Sequence, residues 1–199
     1  MTTQRRAEAT HSRLLEAAAA GFAEQGYDGT SVAEICRRAE VSKGAFYHHF
    51  ASKQDLFIEL LERWLAELDE GLAGLHTGRT SVPEELVDMT EMIRRVFQVA
   101  EDQLPIFLEF WAQAAHDPAI WEATITPYRR YRAFFAQMVE SGVTEGTLRP
   151  VDPDTTARVI VSLAIGLLLQ GLLDTEAADW GHVAKQGMQM LLEGIEKKE

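Results

Sequence analysis

Cysteine is nearly absent from this sequence, and so is any long uncharged apolar segment. The 199 residues contain one cysteine, Cys36, which cannot form a disulfide within the chain. The segment MTTQRRAEATHSRLLEAAAA lacks the apolar stretch of a signal peptide. The longest apolar run, residues 159–173, contains Ser162 and Gln170 and is shorter than the roughly 20 residues of a membrane span. We therefore expect a cytoplasmic protein without a membrane partner, and we expect this run to be a helix buried on most sides.

Residue patterns typical of enzymes and metal sites are also missing. We find no nucleophile beside an oriented base and no phosphate-binding glycine loop. His48 and His49 are adjacent, so on a helix their side chains point about 100° apart and cannot share a metal ion. His116 and Asp117 lack a nucleophile that would complete a catalytic relay. We expect no catalytic residues, no metal site and no cofactor, and we predict that the protein is not an enzyme.

Negative charge is plentiful but unevenly distributed. The net charge of −12 argues, taken as a sum, against a nucleic-acid partner. Residues 1–55, however, carry seven Lys or Arg and seven Asp or Glu, so the whole negative excess lies in residues 56–199. Such asymmetry indicates two functions in one chain. We therefore expect residues 1–55 and residues 56–199 to have different roles.

Helix signals divide almost the whole sequence. Apolar residues recur at helical spacing, beginning with Leu14, Leu15, Ala18 and Phe22, and Gly26 supplies a left-handed stop. No strand pattern and no internal repeat is present in the sequence. The pattern predicts an all-α fold of about nine helices, with an N-terminal three-helix helix-turn-helix domain and a C-terminal helical bundle.

Two short helices lie close together in the N-terminal part. Ser31 and Glu34 form a capping-box pattern for a helix that ends near Ala39, and Ser42 caps the next helix at residues 43–48. Two helices joined by about three residues have the spacing of a helix-turn-helix, whose second helix enters the major groove of DNA. The sequence therefore predicts a DNA-reading helix at residues 43–48.

The residue types in the stretch VSKGAFYHHF, residues 41–50, suit contact with DNA. Gly44 and Ala45 let the backbone approach the duplex, and Lys43 offers a charge to a phosphate or a guanine. Further donors to phosphate oxygens are Tyr47, His48 and Lys53. The two phenylalanines of the stretch are expected to point inward and to anchor the helix.

The stretch TSVAEICRRAEVSKGAFYHHFASKQDLF, residues 30–57, closely resembles the DNA-binding segment of the tetracycline-repressor (TetR) family of bacterial transcriptional regulators. The preceding LLEAAAAGFAEQGYDG is similar to the first helix of that family. The resemblance implies a homodimer whose recognition helices read a roughly palindromic operator. It also implies a helix-turn-helix DNA-binding domain over residues 1–55 and a helical domain over residues 56–199 that binds a small molecule and dimerises. By this resemblance the DNA-binding residues are Ser31, Ser42, Lys43, Gly44, Ala45, Tyr47, His48, His49 and Lys53.

Glu40 departs from the family pattern, which usually has glycine in the turn. If the backbone is left-handed there, a glutamate costs strain that glycine avoids. It also places a negative charge near DNA.

Aromatic residues are concentrated in the helices expected to surround an effector. We predict a sizeable apolar cavity for a small, hydrophobic molecule. The competing interpretation, which holds more often for any one aromatic residue, is packing in the core. The predicted pocket residues are Phe97, Phe107, Phe110, Trp111, Gln113, Tyr128, Tyr131 and Phe135.

The last two helices carry apolar stripes that include small residues, a pattern that allows helices of two copies to pack closely. The resemblance implies a four-helix bundle across a two-fold axis. The predicted dimer-interface residues are Val159, Leu163, Gly166, Leu167, Gln170, Met188, Leu191, Leu192 and Ile195.

These patterns predict a ligand-responsive DNA-binding regulator, a repressor released from a palindromic operator by a small hydrophobic molecule. The long helix from Gln54 to about Leu75 is the expected lever, with Trp64 and Leu68 transmitting movement. A constitutive DNA-binding or ligand-sequestering protein without regulatory coupling is the alternative that the sequence leaves open.

Overall fold

Within residues 3–75, 80–99 and 104–196, which the computed structural model describes, the chain forms ten α-helices and, beyond one isolated bridge between Leu148 and Glu196, no β-structure. In chain order the helices are α1 (Thr3–Gly29), α2 (Val32–Arg38), α3 (Lys43–His49), α4 (Lys53–Leu75), α5 (Val82–Met89), α6 (Glu91–Val99), α7 (Leu104–Ala114), α8 (Pro118–Glu145), α9 (Pro153–Leu173) and α10 (Trp180–Ile195). The predicted all-α class is confirmed. The count exceeds nine because Thr90 interrupts the helix expected after Ser81.

The helices group into two compact units. The first contains α1 to α3, α4 as far as Leu65, α7, and α8 as far as Ile125. The second contains the remainder of α4 and α8 together with α5, α6, α9 and α10. Helix α7 belongs to the first unit because it packs on α1. The functional boundary at residue 55 stays a prediction.

Buried aromatic rings form the core of the first unit. Phe22 of α1, Phe46 of α3 and Phe57 of α4 are at most 1% exposed. The ring of Phe57 lies 5.2 Å from that of Phe22 and 4.1 Å from that of Phe110 on α7. The apolar stripe predicted for α1 is buried against them, as the helical spacing requires.

Ion pairs add a polar connection between α1 and α2. Arg38 donates from both terminal nitrogens to the carboxylate of Glu24, at 3.0 and 2.7 Å, and from Nε to Glu34 at 2.7 Å. Arg37 also donates to Glu34. The hydrogen bonds from Arg37 and then Arg38 lower the pKa of Glu34 to about 2. The Ser31 hydroxyl accepts from the Glu34 N–H as predicted, but the Glu34 carboxylate turns to the arginines instead of completing the capping box.

The second unit has an aliphatic core built from four helices. Its buried side chains come from α5, α8, α9 and α10, and include Leu86, Val139, Ile160 and Met188. The segment after α8 returns to the end of α10, where Arg149 donates its N–H to Ile195 O at 2.9 Å and its Nε to Gly194 O at 2.8 Å. These bonds satisfy carbonyls that the end of a helix leaves without an intrahelical partner.

Helix α9 is less buried than its sequence predicts. Among the described residues, it is the one helix whose length and mean hydropathy of 1.9 would allow a membrane span. Core helices of other proteins can be equally long and apolar. Only 33% of the apolar 18-residue segment of this helix is buried. The expectation of a helix buried on most sides is therefore wrong, because Val159, Leu169 and Leu173 remain exposed.

Candidate nucleic-acid interface

Helices α2 and α3 form a helix-turn-helix with a capped second helix. The Ser42 hydroxyl accepts the Ala45 N–H at 3.1 Å, which fixes the start of α3. At the other end, the Phe50 N–H donates to Phe46 O, and both phenylalanine side chains are buried as predicted. This anchoring sets which face of α3 remains on the surface.

The connection between the two helices contains the one non-glycine residue with positive φ among the described residues. Glu40 has a φ of 53°. The next residue, Val41, donates its N–H to Cys36 O at 3.0 Å and so closes the turn. The left-handed conformation considered for Glu40 from the sequence is therefore present, and it carries a steric cost that glycine would not have.

The exposed face of α3 carries most of the side chains expected to contact DNA. Lys43, Gly44, Tyr47 and His48 are exposed, and the Tyr47 side chain has 58% of its surface free. Lys43 makes no ion pair with any residue in the described ranges, so its charge remains available. Ser31 and Ser42 are exposed but use their hydroxyls as helix caps, and Ala45 is half-buried.

His49 differs from its exposed neighbour His48 because it is half-buried and its ring packs against α1. Its ring lies 5.6 Å from that of His11 on α1 and 5.3 Å from that of His48. Desolvation, followed by the charges of His11 and His48, lowers the pKa of His49. His11 also stacks on Phe50 with centroids 4.9 Å apart, and its Nε2 lies 3.0 Å from Glu59 of α4. His49 thus connects α3 to α1, and the structure gives it a packing contact that the sequence did not predict.

Lys53 is the predicted DNA contact whose position differs most from expectation. Its Nζ donates to the Tyr27 carbonyl at 2.7 Å and lies 4.0 Å from the centre of the Tyr27 ring. Desolvation lowers the pKa of Lys53. The amine therefore binds the end of α1 in this structure.

The predicted effector residues of the first unit divide into core and surface. Phe110 is buried and stacks on Phe57, which favours the core interpretation. Phe107 lies between Trp64 and Trp111, with ring centroids 5.2 and 5.3 Å away, and Trp111 is partly exposed. We call Trp64, Phe107 and Trp111 the α7 ring cluster. Gln113 is half-buried, and its backbone carbonyl accepts from the N–H groups of His116 and Asp117.

Three predicted effector residues of the second unit, Tyr128, Tyr131 and Phe135, are half-buried. Phe135 packs against the aliphatic core, as the core interpretation expects. Burial, followed by a hydrogen bond to Asp69, raises the pKa of Tyr131 to about 12. Tyr128 is half-buried on the same helix. The side chain of Phe97 lies outside the described residues.

The predicted dimer stripe is partly buried inside the protomer. Leu167, Met188, Leu192 and Ile195 are at most 8% exposed, which leaves them little surface to offer a second copy and corrects their assignment. Val159 and Gln170 are exposed, whereas Leu163, Gly166 and Leu191 are half-buried. Exposed Leu169, Leu173 and Met190 were not part of the predicted stripe.

Two sequence profiles match this arrangement. The profile described as "Bacterial regulatory proteins, tetR family" covers residues 14–60, which contain the helix-turn-helix. The profile described as "BetI-type transcriptional repressor, C-terminal" covers residues 83–195, more than half of the chain. The chain belongs to the TetR family of bacterial transcriptional regulators.

Individual TetR-family proteins match over nearly the full length. The HTH-type transcriptional regulator UidR of Escherichia coli K12 is 29% identical, with 96% of this chain and 95% of UidR aligned. A transcriptional regulator from Saccharomonospora viridis, solved in complex with choline, has a TM-score of 0.81 and 26% identity, over 94% of this chain and 98% of its own. The ketosteroid transcriptional regulator KstR2 of Mycobacterium tuberculosis has a TM-score of 0.74 and 25% identity, and the match covers 100% of this chain and 98% of KstR2. These relatives are named as transcriptional regulators, not enzymes.

In this TetR-family protein, sequence analysis missed His11, Glu59, Tyr27 and Glu109 as neighbours of the DNA-binding helices. Tyr27 and Glu109 are 82 residues apart in the chain and meet through a hydrogen bond of 2.9 Å. No local spacing signals contacts of this kind, because they arise only after α1, α4 and α7 pack together.

Glycine at position 40 should stabilise this TetR-family regulator. Relief of a left-handed glutamate is worth roughly 1–2 kcal/mol, and the added flexibility of the unfolded chain removes about 0.4–1 kcal/mol of that gain. We expect Glu40→Gly to raise the free energy of unfolding by about 0.5–1 kcal/mol in urea denaturation. Glu40→Gln, which removes the charge but keeps the side chain, is the control. Equal stability of the two variants would show that the left-handed conformation costs no more than the roughly 0.4–1 kcal/mol that glycine loses through unfolded-chain flexibility.

Proposed function

We propose that the protein is a ligand-responsive transcriptional repressor that acts in the cytoplasm, binds a palindromic operator as a homodimer, and leaves it when a small molecule binds. The observation that carries this proposal is the face of α3 with Lys43, Gly44, Tyr47 and His48 exposed at the capped end of a helix-turn-helix. The family supports the general role, since its members bind DNA and small-molecule effectors.

Each side chain on that face has a distinct role in the proposed DNA complex. Lys43 and Tyr47 bind phosphate oxygens, and His48 adds a further donor. Gly44 has no side chain, and a Cβ there would meet only the Ser42 hydroxyl at 3.7 Å, so the open space is available to a base edge or the sugar-phosphate backbone. In this proposal the phosphate contacts fix the position of the protein along the DNA, and the start of α3 recognises the bases.

The operator interaction can be measured by fluorescence anisotropy with DNA that flanks the gene, or with DNA selected from a random pool. We expect binding that weakens as salt rises, because phosphate contacts release counterions. Tyr47→Ala should lower affinity by about tenfold or more, since a hydrogen bond to a charged group contributes about 1.5–3 kcal/mol. Trp121→Ala, which removes an exposed aromatic side chain outside the helix-turn-helix, is the matched control. Equal losses in both variants would contradict the assigned face.

Dimerisation is the second part of the proposal, and the exposed side of α9 supports it. Val159, Gly166, Leu169 and Leu173 follow one another at helical spacing on the side away from the core. A Cβ on Gly166 would meet nothing within 4 Å, so a second helix has room to approach closely. Dimerisation would cover this apolar surface and set the distance between recognition helices, on the order of 34–36 Å for one turn of DNA.

A charge placed on this side of α9 should break the dimer. We expect wild-type protein to have about twice the 22.3 kDa mass of one chain in sedimentation experiments, and Leu169→Glu to shift it toward the single-chain mass. Ala133→Glu, an exposed position on α8, should not change the mass. A wild-type monomer, or a dimer unaffected by Leu169→Glu, would show that this side of α9 is not the interface.

The effector is the third part of the proposal. We propose a small organic molecule whose apolar part contacts the α7 ring cluster, which includes the partly exposed Trp111. A quaternary ammonium ion is a specific candidate, because the Saccharomonospora viridis relative was solved in complex with choline. Aromatic rings attract such cations through their π faces. The negative excess of residues 56–199 also favours a cation. A neutral hydrophobic molecule remains the second candidate, supported by the relative named as a ketosteroid regulator.

Choline and its neutral isostere 3,3-dimethylbutan-1-ol separate the two classes of effector. If the effector is a quaternary ammonium ion, choline should stabilise the protein, change tryptophan fluorescence and lower operator affinity, whereas the isostere should be at least tenfold weaker. Trp64→Ala should reduce this release more than it reduces operator affinity. Equal potency of the two compounds would favour a hydrophobic effector. No response to either compound or to a panel of sterols would favour constitutive DNA binding.

A further inference from the structure

His49, the last residue of the recognition helix α3, makes ring contacts without a hydrogen bond. Its ring meets those of His11, His48 and Phe50, with centroids 5.6, 5.3 and 6.5 Å away. Within the part of the chain that the structure describes, neither of its ring nitrogens has a hydrogen-bond partner. Polar atoms that lose contact with water usually find such a partner. The nitrogens of this half-buried imidazole are thus available to a group from outside the chain.

His49 lies at the edge of the proposed DNA-binding face of α3. His48, the residue before it, is exposed on that face. Ala45, one turn earlier on the same side of the helix as His49, is half-buried like His49 itself. The rings of the two histidines are close enough that a phosphate accepting a hydrogen bond from His48 also lies near His49. Operator binding would therefore place a negative charge beside the His49 ring.

The charged groups that act on His49 come from three helices. His11 of α1 and His48 of α3 disfavour a positive charge on its ring, whereas Glu59 of α4 favours one. The Glu59 carboxylate lies 3.0 Å from Nε2 of His11, so its charge acts first on that residue. Helix α2 also packs against α3, and its charged residues, which pair with each other or with α1, are Glu34, Arg37 and Arg38.

These surroundings favour the neutral form of His49 in the absence of DNA. Desolvation, followed by the charges of His11 and His48, holds the pKa of His49 below its ordinary value of 6.5. A phosphate has the opposite effect, because a negative charge beside an imidazole stabilises the protonated ring. Proton binding and DNA binding affect each other equally, so a group that gains a proton in the complex makes binding tighter as pH falls.

We propose that His49 takes up a proton when an operator phosphate binds beside it, and that operator affinity is thereby coupled to pH. The proposal rests on the DNA-binding role given above. Free folded protein binds fewer protons at His49 than the unfolded chain does, so its stability falls as pH drops through 6.5 toward the lowered pKa. The operator complex binds more protons than the free protein, so operator affinity rises over the same interval. Stability and affinity therefore change in opposite directions.

The pH dependence of operator affinity tests the coupling. We would measure binding of the selected operator by fluorescence anisotropy from about pH 8 to about pH 5.5, the range in which histidine titrates, at constant ionic strength. The slope of log affinity against pH gives the number of protons taken up. In His49→Gln the slope should be smaller than in wild type by about 0.5–1 proton per protomer. His182→Gln, which removes an exposed histidine of α10, should keep the wild-type slope.

Thermal unfolding without DNA gives a second, independent readout. Wild-type protein should lose stability as pH falls from about 7.5 to about 5.5, and His49→Gln should lose less, because glutamine does not titrate. A purely structural His49 would instead lower the stability of the variant by the same amount at every pH. His49→Phe keeps the ring contacts with His11 and Phe50, and it serves in both measurements if His49→Gln does not fold.

Two results would overturn the proposal while leaving the proposed function intact. One is operator binding whose proton slope is the same in His49→Gln as in wild type. The other is a loss of slope in His182→Gln as large as that in His49→Gln, which would show a general effect of charge. Wild-type protein that binds no DNA at any pH would instead refute the proposed function, and this proposal with it.

Discussion

The fully buried ring of Phe57 is the contact on which the DNA-binding part of the molecule depends. It touches Phe22 and Tyr27 of α1 and Phe110 of α7, so one side chain of α4 joins three helices. Replacement of such a ring by alanine typically costs about 3–5 kcal/mol. Because Phe57 lies one turn after Lys53, its burial also determines where the lysine reaches α1. The position of the helix-turn-helix therefore depends on residues of α1, α4 and α7, which lie outside α2 and α3.

Charge pairing explains why this positioning matters for a protein with a net charge of −12. Of the lysines and arginines in α2 and α3, Lys43 is the one outside an ion pair, since Arg37 and Arg38 bind Glu34 and Glu24. Few charges on these two helices are thus free to attract phosphates, and a protein with few phosphate contacts gains little affinity from electrostatics. If Lys43, Tyr47 and His48 are the operator contacts, as proposed, their accurate placement must supply more of the binding energy.

The sequence predicted the features that depend on local chemistry. The caps at Ser31 and Ser42 and the buried Phe46 each follow from residues within one helical turn. It could not predict contacts between distant segments, such as Glu109 with Tyr27 or His11 with His49. For the same reason it misjudged α9 and α10, where apolar residues occur on both sides of the helix and only packing decides which side is core. The aromatics show the same ambiguity, since Phe110 proved to be core while Trp111 is partly exposed.

Strain at Glu40 is consistent with a regulator that must release its operator. A left-handed glutamate costs folding energy in free and DNA-bound protein alike, whereas its carboxylate beside the proposed DNA surface opposes tight binding. Coupling between an effector and a second ligand is typically worth about 1–3 kcal/mol. An effector shifts the equilibrium between DNA-binding and non-binding conformations only by the difference in its affinity for the two. An operator affinity far above the level needed for occupancy would therefore be too strong for that coupling to reverse. A moderate affinity, limited by few free charges and by the Glu40 carboxylate, would keep the proposed switch within the range that a small molecule can control.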